Sequence, residues 1–152
     1  MTEERFNQLS QTYLDMIYRI ALNWFGNPYD AEDVTQEVML RLWQRAPDLP
    51  EADLRYWLVR VTINRCKDLT RALKRRPVMS LDELGSLATA EQVSLLPEVL
   101  LLPRKYRVPL YLYYYEGYSV KELAKLLQTN PSTIQTRLSR GRDRLKAQLK
   151  EV

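Results

Sequence analysis

The chain has 152 residues, of which 45% are hydrophobic and 28% charged, with a formal net charge of +4, one cysteine and no histidine. A single cysteine, Cys66, excludes an internal disulfide, and without histidine no conventional zinc site or histidine-based catalytic set can be assembled, so neither metal nor cofactor is expected. No apolar run approaches the roughly 20 residues that cross a bilayer, and MTEERFNQ lacks the basic and apolar stretches of a signal peptide; a cytoplasmic protein without membrane insertion is expected.

The charge is unevenly spread: residues 1–52 carry −5, 53–76 carry +6, 77–130 carry −1 and 131–152 carry +4. Two basic blocks suggest two footprints for nucleic acid, and the acidic first third suggests a different partner.

Phe6, Leu9, Tyr13, Met16, Ile17, Ile20, Ala21 and Trp24 recur at three- and four-residue spacing, which predicts a core-facing helix from about Glu3 to Phe25, ended by Gly26-Asn27-Pro28. Asp30-Ala-Glu-Asp33 opens a second helix with acids where the helix dipole favours them, and Val34, Val38 and Leu42 point inward. Its outer face sets Asp33, Gln36, Glu37, Leu40, Arg41 and Gln44 side by side. Composition alone allows either a solvated face or a docking face for a helical partner.

The prolines of APDLPE, residues 46–51, make a loop. A third helix from Ala52 to about Arg75 follows, with Leu54, Trp57, Leu58, Val61, Ile63 and Leu69 among Arg55, Arg60, Asn64, Arg65, Lys67, Arg71 and Lys74. Tyr56 or Trp57 can stack on an unpaired base while the cations follow a strand; for Trp57 taken by itself burial is the better reading. Cys66 reads as a small packed side chain. Pro77 breaks the helix, and residues 77–92 form a flexible linker with acids at Asp82, Glu83 and Glu91.

The remaining residues, 93–152, predict a second small helical domain. An apolar helix, VSLLPEVLLL, starts at Val93, and another from Tyr106 to Glu116 stops at Gly117. Leu110, Leu112, Tyr113 and Tyr114 are expected to pack beneath the segment that follows. There Ser119 and Glu122 can form a capping box for a helix with Val120, Leu123, Ala124 and Leu127 on its apolar face. After Gln128-Thr129, Asn130 can cap and Pro131 can open a last helix with Ile134, Leu138 and Leu145 inside. This is a helix-turn-helix. The outer side of its second helix carries Ser132, Thr133, Gln135, Thr136, Arg137, Ser139 and Arg140, donors able to reach base edges and phosphates.

DAEDVTQEVMLRLWQ at 30–44, YWLVRVTINRCKDLTRALKRR at 56–76 and LPRKYRVPLYLYYYEGYSVKELAKLLQTNPSTIQTRLSRGRDRLK at 102–146 resemble, in order and spacing, the extracytoplasmic-function group of sigma-70 family factors. The resemblance implies an all-α fold of two small helical domains, a region 2 bundle over residues 1–76 and a region 4 helix-turn-helix domain over 93–152. It implies a non-enzymatic initiation subunit that binds core RNA polymerase and directs it to promoters. Asp33, Gln36, Glu37 and Leu40 would dock on the clamp helices of the largest polymerase subunit. The 46–51 loop with Tyr56, Trp57, Arg60, Asn64 and Arg65 would open the −10 element and hold a non-template base. Ser132, Thr133, Gln135, Thr136, Arg137 and Arg140 would read the −35 duplex, and the linker would thread towards the RNA exit path. Asn130-Pro131-Ser132 departs from the family's usual start of the recognition helix. An anti-sigma protein is the inhibitor expected from the family, and dependence on closely spaced promoter elements follows from the absence of a housekeeping factor's further domains. Two other readings fit parts of the chain: a sigma-like mimic that titrates an anti-sigma factor, and a stand-alone helix-turn-helix regulator, which leaves the 30–44 helix unexplained.

Overall fold

The computed structural model describes residues 1–73 and 97–150, and the chain divides into two compact units, residues 1–79 and 80–152. The linker expected at 77–92, with Asp82, Glu83 and Glu91, lies outside the described residues, as do Lys74 to Arg76 and the first turn of the helix expected from Val93.

Among the described residues, the first unit has three helices. α1 spans Glu3–Phe25 and begins where Thr2 Oγ1 accepts the Arg5 N–H at 3.1 Å. It ends at Gly26, whose φ of 64° is left-handed and whose N–H donates to the Leu22 carbonyl at 2.8 Å. α2, Pro28–Arg45, starts two residues before Asp30: Asn27 Oδ1 accepts the Tyr29 N–H at 2.9 Å, and Pro28 has no N–H to leave unpaired. α3, Glu51–Ala72, has no side-chain cap, and Glu51 and Asp53 in its first turn face the positive end of the dipole instead. Ile17 and Leu22 of α1, Val34 and Leu42 of α2, and Leu58 and Ile63 of α3 are fully buried between these helices. Trp24 Nε1 donates to Thr70 Oγ1 at 2.9 Å, so the one polar atom of a buried indole is satisfied across the α1–α3 contact. Cys66 is buried, as its neighbours suggested.

The second unit is built on α4 (Pro97–Leu100), α5 (Arg104–Tyr114), α6 (Val120–Leu126) and α7 (Pro131–Lys150). Arg107 is buried and donates from Nη1 to the Leu100 and Leu102 carbonyls, at 3.4 and 3.2 Å, where the end of α4 leaves acceptors without helical partners. Burial, and secondarily the charge of Arg104, pushes its pKa down to about 10. Gly117, at φ 81°, turns the chain out of α5. The capping box is formed, with the Glu122 N–H on Ser119 Oγ at 3.1 Å and the Ser119 N–H on Glu122 Oε1 at 3.0 Å. Asn130 Oδ1 accepts the Thr133 N–H at 2.8 Å and starts α7 where expected.

Two expectations about packing need correction. The tyrosine run does not go inward at Tyr113 and Tyr114, which are exposed, the latter by 60%. Leu110, Tyr111 and Leu112 supply the core, and the Tyr111 hydroxyl donates to buried Glu116 at 3.0 Å. Tyr113 and Tyr114 end α5 on its solvent-exposed side, where the Tyr114 hydroxyl meets Arg142 of α7 at the surface. In α6 the third buried residue is Leu126, with Leu127 only half-buried, since the helix ends there and the chain turns through Gln128 at φ 54°.

α7 meets α5 closely at Gly141: a Cβ built there would lie 2.8 Å from Leu110 Cδ1 and 3.2 Å from Tyr106 Cβ. Gly141→Val is expected to cost the second unit about 1–3 kcal/mol through overpacking, despite the better helix propensity. An unchanged urea midpoint would show that Leu110 and Tyr106 yield freely. Leu58→Ala, which opens a void among fully buried side chains, should cost the first unit about 2–5 kcal/mol in the same experiment.

Candidate polymerase and nucleic-acid interfaces

Packing of α7 through Ile134, Leu138 and Gly141 decides which of its side chains face outward. At about 100° per residue, Ser132, Thr136, Ser139 and Arg140 form one exposed ridge opposite the core. Thr133 and Arg137, both half-buried, lie on one flank of it and exposed Gln135 on the other. Ser132 to Arg140 spans about 12 Å of helix, the width of a major groove. Asp143 comes next on the ridge and is exposed, an acid that would repel phosphate beyond the first half of α7. The two arginines that flank it turn to their own unit. Arg142 Nη1 donates to the Tyr114 hydroxyl at 3.1 Å, and the Arg144 guanidinium lies 4.9 Å from the Tyr106 ring centroid.

On α3 the structure brings four of the five expected residues together. Tyr56 and Trp57, both half-buried, precede exposed Arg60 and Asn64 on one stripe. Trp57 is thus neither a core residue nor a free ring, but a ring with one part packed and the rest available for stacking. The stripe continues through Lys67 and Arg71, which the sequence reading counted as basic residues without assigning them to the site; the recurrence at 60, 64, 67 and 71 is the signal that marks them. Burial, and then the nearby charge of Arg71, lowers the Lys67 pKa. Arg65 stands apart. It turns towards α2, where its Nη2 pairs with the Glu37 carboxylate, and its Nη1 lies 3.4 Å from Asp68 Oδ2.

The outer face of α2 presents Asp33, Gln36, Glu37 and Leu40, all exposed, with Leu40 at 55%. The sequence reading missed the apolar half of this face. Trp43, 45% exposed, meets the edge of Phe6 at a centroid distance of 5.2 Å, and these two rings with Leu14, Met39 and Leu40 line a shallow apolar groove. Leu40 and Trp43, three apart on an otherwise polar face, were the available signal; Phe6 had been assigned to the core stripe and is only half-buried. On the other side of Leu40 a polar groove is lined by Glu37, Arg41, Gln44, Arg45 and Arg65. Among the described residues, no helix is long and apolar enough to cross a membrane.

The description of Sigma-70 region 2 matches residues 9–76, and that of Sigma-70 region 4 matches residues 95–145. Over 93% of its length the chain is 30% identical to the ECF RNA polymerase sigma factor SigM of Bacillus subtilis, and it covers 93% of that protein. It is 28% identical to the ECF RNA polymerase sigma factor SigE of Mycolicibacterium smegmatis over 93% of this chain, but spans only 60% of that relative's length. In structure it is similar to CnrH in complex with the cytosolic domain of CnrY, with a TM-score of 0.64 and 27% identity over 99% of this chain and 90% of that one. The fold is also that of the sigma factor RpoE in complex with the anti-sigma factor NepR from Bartonella quintana, with a TM-score of 0.73 and 21% identity over 97% of this chain and 98% of that one. With both sigma regions matched in order and a relative of nearly equal extent, the acid-bearing helix, the aromatic and basic stripe and the capped helix-turn-helix have one common explanation: the chain belongs to the extracytoplasmic-function group of RNA polymerase sigma factors.

Proposed function

We propose that this sigma factor divides promoter recognition between residues 1–76 and residues 93–152, joined by a linker at 77–92, and that it acts in the cytoplasm without catalytic residues of its own. Asp33, Gln36, Glu37 and Leu40 dock on core RNA polymerase. Tyr56, Trp57, Arg60 and Asn64 take the separated −10 strand. Ser132, Thr133, Gln135, Thr136, Arg137 and Arg140 read the −35 duplex. The observation that carries this reading is the stripe on α3, where two partly exposed rings lie in line with Arg60 and Asn64 on a helix packed against the acid-bearing α2. A ring that stacks on an unpaired base and cations that follow its backbone favour the open strand over the duplex, and this difference in binding is enough to stabilise melting without bond chemistry. The likeness to a sigma factor solved in complex with the anti-sigma factor NepR supports the further reading that a protein inhibitor covers these faces when the factor is idle.

Three measurements test the reading. Run-off transcription with bacterial core polymerase on fragmented genomic DNA should give new 5′ ends that share paired −35 and −10 elements only when this protein is present; absence of new starts together with absence of core binding would remove the assignment. Trp57→Ala should weaken binding to a single-stranded −10 oligonucleotide by about 1–3 kcal/mol while leaving −35 duplex binding alone. Arg140→Ala should lose about 1–3 kcal/mol and relax preference at one −35 base pair, whereas an equal small loss on every sequence would make Arg140 a phosphate contact.

A further inference from the structure

We propose that Arg65 belongs to the polymerase-docking surface rather than to the strand-binding stripe, and that the polar groove between α2 and α3 receives an acidic side chain from a polymerase helix that crosses Leu40. The proposal rests on the reading of the α2 face as the docking surface and adds the chemistry of what it docks. Three observations carry it.

The first is position. Arg65 is about 100° around α3 from Asn64 and further still from Arg60, so it is on the flank that faces α2. The pair with Glu37 holds it there, with the two side chains 34% and 50% exposed. The second is charge. Arg41, Arg45 and Arg65 line the groove with Glu37 as its one acid, while Asp68, 3.4 Å from Arg65 Nη1, lies outside the lining and is shared with Arg71. Cations outnumber acids in the lining, and an acid on the incoming partner answers that excess. The third is continuity with apolar surface. Leu40 borders both this groove and the apolar one with Phe6, Met39 and Trp43. A helix laid over Leu40 would set an apolar side chain against the rings and, three or four residues along, a carboxylate among the arginines. A DNA backbone could answer the charge, but it has nothing to place on Leu40 and Trp43; a protein helix answers both.

The test compares two affinities of the whole chain: for core RNA polymerase, and for a mixed-sequence single strand of about ten nucleotides, each read by fluorescence anisotropy over a range of salt. Arg65→Gln should weaken core binding by about two- to fivefold, reduce its salt dependence and leave strand affinity unchanged, and Arg65→Lys should recover most of the loss. Arg41→Glu, on an exposed side chain of the groove, should weaken core binding more strongly, again without effect on the strand. Arg60→Gln should do the reverse. Loss of strand affinity in Arg65→Gln with core binding intact would make Arg65 a nucleic-acid contact and overturn the proposal. No change in either affinity would make it a strut between α2 and α3 and overturn it equally. Reversal of Asp33 and Glu37 to Lys separates the two levels: if core binding survives that change, the docking face itself is misassigned, whereas its loss alongside an inert Arg65 leaves the face standing and removes only the groove.

Discussion

Burial of Val34, Val38 and Leu42 between α1 and α3 is the constraint on which the first unit depends. These three side chains are at most 1% exposed, and they fix the rotation of α2 about its axis. Everything on the opposite side follows from that rotation. Asp33, Gln36, Glu37 and Leu40 can share a face only because the residues between them are committed to the core. The same packing sets α3 against α2, and so decides that Arg65 meets Glu37 while Arg60 and Asn64 turn outward. One set of aliphatic contacts thus sorts a mixed sequence into two separate surfaces, the ones proposed above for the polymerase and for the open strand.

The second unit solves a different problem, which is to hold a short helix and a long one at a tight turn with little core to spend. Local hydrogen bonds do much of that work. The Ser119–Glu122 capping box, Asn130 on the Thr133 N–H and Arg107 on the carbonyls after α4 each pair backbone groups at a helix end that would otherwise have no partner. Gly141 adds the close approach that lets α5 and α7 share Leu110 and Tyr106. With the start of α7 set by its cap and its rotation set by Ile134 and Leu138, the reading ridge is positioned without any side chain of the ridge taking part in the packing.

Much of this was legible in the sequence, because strong periodicity and cap residues are local signals. The bounds of α1, the capping box, the start of α7 and the burial of Cys66 all follow from residues within one or two turns of each other. What was not legible depended on tertiary contact. Tyr113 and Tyr114 look like core by composition, and only the register of α5 against α7 turns them outward. Arg65 and Arg60 are the same residue type on the same basic helix; the proximity of α2 separates them. Phe6 read as core because its spacing matches Leu9 and Tyr13, whereas the structure leaves it half-buried beside Trp43, 37 positions away and beyond any periodicity argument. Functional faces were found as residue types and only the fold could group them.

The freedom of the α7 ridge from packing has a bearing on how such proteins diversify. Ser132, Thr136, Ser139 and Arg140 are all exposed, so if they read the −35 duplex as proposed, substitutions among them change what is read at little cost to folding. On that proposed role, variation in promoter preference is uncoupled from variation in stability, and a lineage can duplicate such a gene and drift to a separate set of promoters through neutral-fold intermediates. The same property makes the ridge a place to write new codes: parallel regulators that share one polymerase and one scaffold, yet ignore each other's promoters.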